Sequence, residues 1–114
     1  MKEVKAFVSG DMTPEILQSV EEGYRFIYGD PFIYRAKNLV VFAKHATFMQ
    51  DFSSQLIVDY SNENEIVLSI VATRSRQIQA SASATGEVRE ILDQLKHAFA
   101  SHDRELNILD IDFL

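Results

Sequence analysis

The chain contains no cysteine. Disulfides, thiol nucleophiles and thiolate metal sites are therefore excluded, and the composition fits a reducing, cytoplasmic setting. No apolar run approaches the ~20 residues that cross a bilayer. The longest, Leu39 to Ala43, has the length of a strand. The first residues, Met1-Lys2-Glu3-Val4, lack the apolar stretch of a secretory signal. Cations are in deficit: 11 lysines and arginines stand against 17 acidic residues, a formal net charge of −6. Such a domain lacks the electrostatic footprint of most nucleic-acid binders, so nucleic acid and membrane are set aside as partners. Also missing are a glycine-rich phosphate loop, a nucleophile elbow and a dinucleotide fingerprint. No cofactor is expected.

What is present is an ordinary globular composition. Hydrophobic residues make up 46% and charged residues 25% of 114 residues, far from the composition of a disordered chain. That length suits one domain, residues 1–114, and a chain of this size buries about 65% of its unfolded surface without staples. There are no internal repeats, linkers or low-complexity segments.

Val4 to Val8 reads as a first strand, broken by Gly10-Asp11. Thr13 is a good N-cap, with Pro14 at the first helical position and Glu15 near the positive helix end. Ile16, Val20, Tyr24 and Ile27 follow at helical spacing, so a helix from Pro14 to about Tyr28 is predicted, ended by Gly29-Asp30-Pro31. Gly23 falls on the buried side, where close packing against the sheet explains it. Phe32 to Ala36 reads as a short strand and Leu39 to Phe48 as a longer one, interrupted near Lys44-His45. Met49 to Ser54 reads as a loop.

The stretch from Gln55 to Ser83 carries the strongest pattern. Leu56, Val58 and Tyr60, then Ile66, Leu68, Ile70 and Ala72, then Ile78, Ala80 and Ala82 all sit at even positions. A strand places alternate residues on one face. For the oily faces to coincide, a three-residue loop Asn62-Glu63-Asn64 must pair Tyr60 with Ile66, Val58 with Leu68 and Leu56 with Ile70. By the same parity, a loop Arg74-Ser75-Arg76 pairs Ala72 with Ile78 and Ile70 with Ala80, adding a strand whose small Ala80 and Ala82 let a helix approach. Thr85 then caps a second helix, on which Val88, Ile91, Leu92, Leu95, Ala98 and Phe99 follow the i, i+3, i+4, i+7 pattern. The tail Leu106 to Leu114 alternates again, with Leu109, Ile111 and Phe113 facing one way, and is a candidate final edge strand.

The expected fold is α+β: a two-layer sandwich of an antiparallel sheet, in the order β-α-β-β-β-β-α with that optional C-terminal strand, and two helices on one face. In element order alone, over most of the chain, it resembles the TATA-box-binding-protein and helix-grip architectures. The resemblance implies the same two layers and nothing about activity.

Candidate chemistry is sparse. His45, His97 and His102 are the only residues suited to general-base work. His97 and His102 are five apart, not on one helix face, and read as helix-end residues. His45 lies beside Lys44 without a partner motif. Asp110 and Asp112 point the same way and read as a solvated face that discourages edge pairing. Arg35, Arg74 and Arg76 are the candidate anion holders. Phe26 lies well off the buried stripe of the first helix, and Ile57, Val67 and Val71 interrupt the polar face of the meander beside Asp59 and Gln79.

These features lead to a non-enzymatic domain acting by self-association, as a dimer, or through a protein partner. Phe26, Ile57, Val67, Val71, Ile111 and Phe113 would be its apolar anchors. The alternative is a module for a small apolar or anionic ligand held between helices and sheet, lined by Phe42, Phe48 and Phe52, with Arg35 or Arg74 on an acid group. A third is an enzyme using His45 as base.

Overall fold

A computed structural model describes residues 2–45, 52–74 and 80–113, with side chains described for 3–45, 53–73 and 88–109. The elements are β1 (Lys2–Ser9), α1 (Pro14–Tyr28), β2 (Phe32–Ala36), β3 (Leu39–Lys44), β4 (Phe52–Asn62), β5 (Glu65–Arg74), α2 (Ala80–Ala100) and β6 (Leu106–Phe113). The strands form one sheet in the order β2-β3-β4-β5-β1-β6, antiparallel throughout. The α+β fold with both helices on one face is the expected one, and the tail supplies the sixth strand.

Parity builds the core. Phe42, Leu56, Ile70 and Val4 stand opposite one another across four strands, and Val40, Val58, Leu68 and Ala6 form the next row. All eight are buried. The helices cover these rows with Ile16, Val20 and Tyr24 from α1 and Val88, Ile91, Leu95 and Phe99 from α2. Each fully buried side chain of this kind contributes about 1.5–3 kcal/mol.

The helix α1 starts and stops as its sequence dictates. The Thr13 hydroxyl accepts from the Ile16 amide at 3.2 Å, Pro14 opens the first turn, and Gly29 adopts φ 75°, its N–H donating to the Arg25 carbonyl at 2.8 Å. One polar pair lies in the core beneath it. Tyr24 Oη is 2.7 Å from Ser54 Oγ on β4, and the Tyr24 ring lies 5.9 Å from that of Phe42. This bond satisfies a hydroxyl that would be costly to bury alone.

Several expectations are corrected. The strand placed at Ile78 to Ala82 does not exist in the described residues: α2 already begins at Ala80, so Thr85 lies inside the helix and not at its N-terminus. The neighbour of β5 is β1 instead, with Ala72 opposite Lys2 and Ile70 opposite Val4. Ala80 is the first residue of a helix because alanine is the best helix former. Ile78, with the rest of 75–79, lies outside the described residues.

The hairpin between β4 and β5 keeps two of the expected pairs, Val58 with Leu68 and Leu56 with Ile70, but loses the third, Tyr60 with Ile66, and its loop is shorter. Asn62 pairs with Glu65 around a two-residue turn, and one extra residue of β4 is absorbed as a bulge between Asp59 and Asn62. Two side chains build the bend. Asp59 Oδ1 accepts from the Ser61 amide at 2.9 Å and Asn62 Oδ1 from the Asn64 amide at 2.9 Å. The displaced Tyr60 amide donates to the Asn38 carbonyl in the β2–β3 turn at 2.9 Å.

Gly23 packs against α2, not the sheet: a Cβ there would lie 3.4 Å from Gln94 Cβ. Residues Phe52 to Ser54, expected in a loop, belong to β4. β6 is also irregular. Leu109 is bulged out between Asp110, opposite Lys5, and Ile108, opposite Ala6, so the tail's alternation is broken there.

A clip closes the sheet end. Arg104 Nη1 donates to the carbonyls of Ser9 at 3.2 Å and Asp11 at 3.0 Å. Gly10, at φ 105°, lies beneath it, and a Cβ there would land on the guanidinium. Gly10→Ala is expected to cost about 1–3 kcal/mol from backbone strain and the displaced clip, read as a lower urea midpoint.

Burial pushes the Tyr24 phenol up to about 12 from its ordinary 10, partly offset by its hydrogen bonds with Ser54 and the Lys44 backbone. Below pH 10 the phenol is neutral folded or unfolded. As pH rises from 10 to about 12 the unfolded chain ionises first, so folding stability falls, by about 2–3 kcal/mol in all. Tyr24→Phe is expected to remove that part of the alkaline decline, measured as urea stability of the two proteins between pH 9 and pH 12.

Candidate functional site: the open face of the sheet

The odd-numbered residues of the central strands face away from the helices. Three rows run across this open face. Leu39, Asp59, Val67 and Phe7 form one, Val41, Ile57, Ser69 and Lys5 the second, and Ala43, Gln55, Val71 and Glu3 the third. Phe7, Leu39, Val41, Ile57, Val67 and Val71 are all only half-buried. A soluble antiparallel sheet normally alternates apolar inside with polar outside. This one carries an apolar residue in every row of its outer face.

Three polar residues of the face, Asp59, Ser69 and Glu3, are held by hydrogen bonds. Asp59 is held below the usual carboxylate range by its hydrogen bonds with Ser61, the amide first. Ser69 Oγ donates to Glu3 Oε1 at 3.5 Å, across the strand pair. Lys5 is exposed.

At the β2 end the face becomes aromatic. Phe32 is 59% and Tyr34 53% exposed. His45, just past β3, packs its ring 4.9 Å from that of Phe32, and its Nε2 lies 3.1 Å from Tyr34 Oη. This cluster was hidden in the sequence because residues 32, 34 and 45 meet only once β2 and β3 pair. Among the described residues, the ring contacts of His45 are with Phe32 and Tyr34, in an exposed cluster.

The expected anchors divide between surfaces. Ile57, Val67 and Val71 share the open face. Phe26 is 76% exposed, but on α1, in the layer on the other side of the sheet. It lines a groove of about 300 Å³ between the helices with Ser19, Gly23, Gln94 and His97. Ile111 and Phe113 stand on β6 opposite Val4 and Lys2, in the register of the helix-side rows, and their side chains lie outside the described residues. The six are therefore not one patch.

The residues expected around a ligand are likewise not gathered. Phe42 is fully buried under Tyr24. Arg35 lies on the edge strand β2, more than half exposed, its Nη2 3.8 Å from Glu21 Oε1. Phe48 and the side chains of Phe52 and Arg74 lie outside the described residues. A groove of about 760 Å³ occurs at the turn end of the sheet, lined by Asp11, Asn38, Tyr60 and Asn62 among others. Neither it nor the groove between the helices contains Arg35 or Phe42.

A serine–histidine pair went unforeseen. Ser19 Oγ lies 2.9 Å from His102 Nε2. That hydroxyl also donates to the Glu15 carbonyl one turn back at 3.1 Å, and Ser19 sits mid-helix, where neighbouring amides are engaged in helix bonds and offer no oxyanion donors. The pair joins α1 to the turn after α2. Among the described residues no three His, Asp or Glu side chains gather into a metal site, and no described helix is long and apolar enough to cross a membrane. No protein-family model matches the chain, and no curated protein matches it as a relative.

Proposed function

We propose that the chain acts by protein–protein contact through the open face of its sheet, with a second copy as the occupant. The observation that supports this most directly is the half-exposed apolar set Phe7, Val41, Ile57, Val67 and Val71, contiguous across four strands. Each residue alone is unremarkable on a surface, but neighbouring ones form a patch of the kind that marks interaction sites. Two such sheets pack face to face at ~10 Å with their apolar side chains interdigitated. Lys5, Glu3 and Asp59 then form a charged rim of both signs, which a two-fold contact can match to itself. Hydrogen bonding already holds Asp59 and Glu3, so little side-chain freedom is lost on association.

Val67→Lys combined with Val71→Lys places charge in the centre of the patch without touching the core rows. The native chain is expected to scatter light as a dimer of its 13.0 kDa subunit, and the double variant as a monomer with unchanged circular dichroism. A native chain that stays monomeric at millimolar concentration would overturn the proposal.

A further inference from the structure

The two edges of the sheet are built differently. On β6 the Leu109 bulge interrupts the ladder, and the strand carries Asp110 and Asp112. Both are devices that discourage a further strand. The opposite edge, β2, pairs among the described residues with β3 alone, in unbroken register from Phe32 to Ala36. Four of its five residues are exposed, so neither helix covers it. Its outward N–H and C=O groups form a template for one more strand.

Charge and side-chain placement say what kind of strand. Of the chain's 17 acidic residues none lies between Pro31 and His45, whereas Arg35, Lys37 and Lys44 do. This hairpin is a basic island in an acidic protein. Glu21 is already engaged with Arg25 at 3.0 Å, Asp30 with the same guanidinium, and Asp59, opposite Leu39 of this hairpin, with the Ser61 amide. Lys44 Nζ donates to the Tyr28 carbonyl at 3.0 Å on the helix side, and Arg35 points to that side as well, where its Glu21 contact is long, at 3.8 Å. On the open side the edge presents Phe32 and Tyr34, backed by His45.

From this we infer that β2 receives an extended acidic segment of another protein, added as a seventh strand. The inference rests on the protein-contact role proposed above but uses the edge of the sheet, not its face. Main-chain bonds along β2 hold the segment. Its alternate residues fall on opposite sides: carboxylates beside Arg35, where opposite charges on neighbouring strands attract, and apolar or aromatic residues against Phe32 and Tyr34. The favoured sequence therefore alternates acidic with apolar residues. A second copy's β2 is disfavoured, because two basic hairpins repel.

The test uses the whole chain, ¹⁵N-labelled, titrated with a ten-residue peptide of alternating valine and glutamate. Its controls are the same peptide with lysine for glutamate, one N-methylated at alternate residues, and a dT12 oligonucleotide. The expected result is saturable shifts in the amides of Phe32 to Ala36, with binding at least tenfold weaker for the lysine and N-methylated peptides. Arg35→Glu with Lys37→Glu, both at exposed sites, is expected to reverse the preference between the glutamate and lysine peptides. Phe32→Ser with Tyr34→Ser is expected to weaken both about tenfold. Equal binding of the two peptides, no shift at millimolar peptide, shifts centred on Val67 and Val71, or tighter binding of dT12 at β2 would each overturn it. The light-scattering mass, read on the same samples, reports separately on contact through the face.

Discussion

The structure depends on a single constraint of register: Phe42, Leu56, Ile70 and Val4 must stand side by side. A strand offset by one residue would turn every core side chain to the opposite face. Four strands are locked together by this row and the one beside it, and the helices can settle only on the side where those residues project. The bulge between Asp59 and Asn62 is a consequence. A two-residue turn with straight strands would have set the even residues of β4 against the odd residues of β5. One extra residue on β4 restores the match, and the amide it displaces is taken up by the Asn38 carbonyl. Both turns at that end of the sheet are thereby joined.

The helical layer shows the same economy. Gly23 lets α1 approach α2 at the level of Gln94, and this closeness lets the two helices cover the buried rows together. Tyr24 then reaches through to Ser54 on β4. The bond is made inside the core, so it fixes where along the sheet α1 sits, which apolar contact alone does with less directionality. At the other end the His102–Ser19 contact and the Arg104 clip tie the chain after α2 to α1 and to the end of β1. β6 can therefore leave in the right direction to pair with β1.

Much of this was legible in the sequence because it is local. Thr13, Pro14 and Gly29 mark both ends of α1, since each supplies a backbone group or angle that only a helix terminus requires. The β4–β5 core register follows from parity. The misreading at Ile78 to Ala82 has a definite cause: alternating alanine and serine satisfies a period of two while carrying almost no apolar weight, and alanine's helix preference decides instead. The true neighbour of β5 lies some sixty residues earlier in the chain, and no local signal announces such a pairing. The candidate surface was half-legible for the same reason. Ile57, Val67 and Val71 were recognisable as odd residues on a polar face. Phe7 and Val41 join them, and Phe26 leaves them, only when strand order and layer are known.

Strand order also gives meaning to the distribution of charge. A net charge of −6 reads as a uniformly acidic protein when averaged over the chain. Folded, the charge is polarised along the sheet, with the acids of β6 at one edge and Arg35 and Lys37 at the other. The field at each edge is set by groups within about 10 Å, because salt screens the rest at physiological strength. The acidic bulk of the molecule therefore does little to repel an acidic strand arriving at β2. It does act on copies of the chain approaching from a distance at low salt. The face and the edge are thus subject to different electrostatics: association through the face must overcome like net charge and gains from burying Ile57, Val67 and Val71, whereas an acidic strand at the edge is drawn in by local charge and held by backbone hydrogen bonds. Raising ionic strength should favour the first and weaken the second, which separates two contacts that mass or affinity alone would confound.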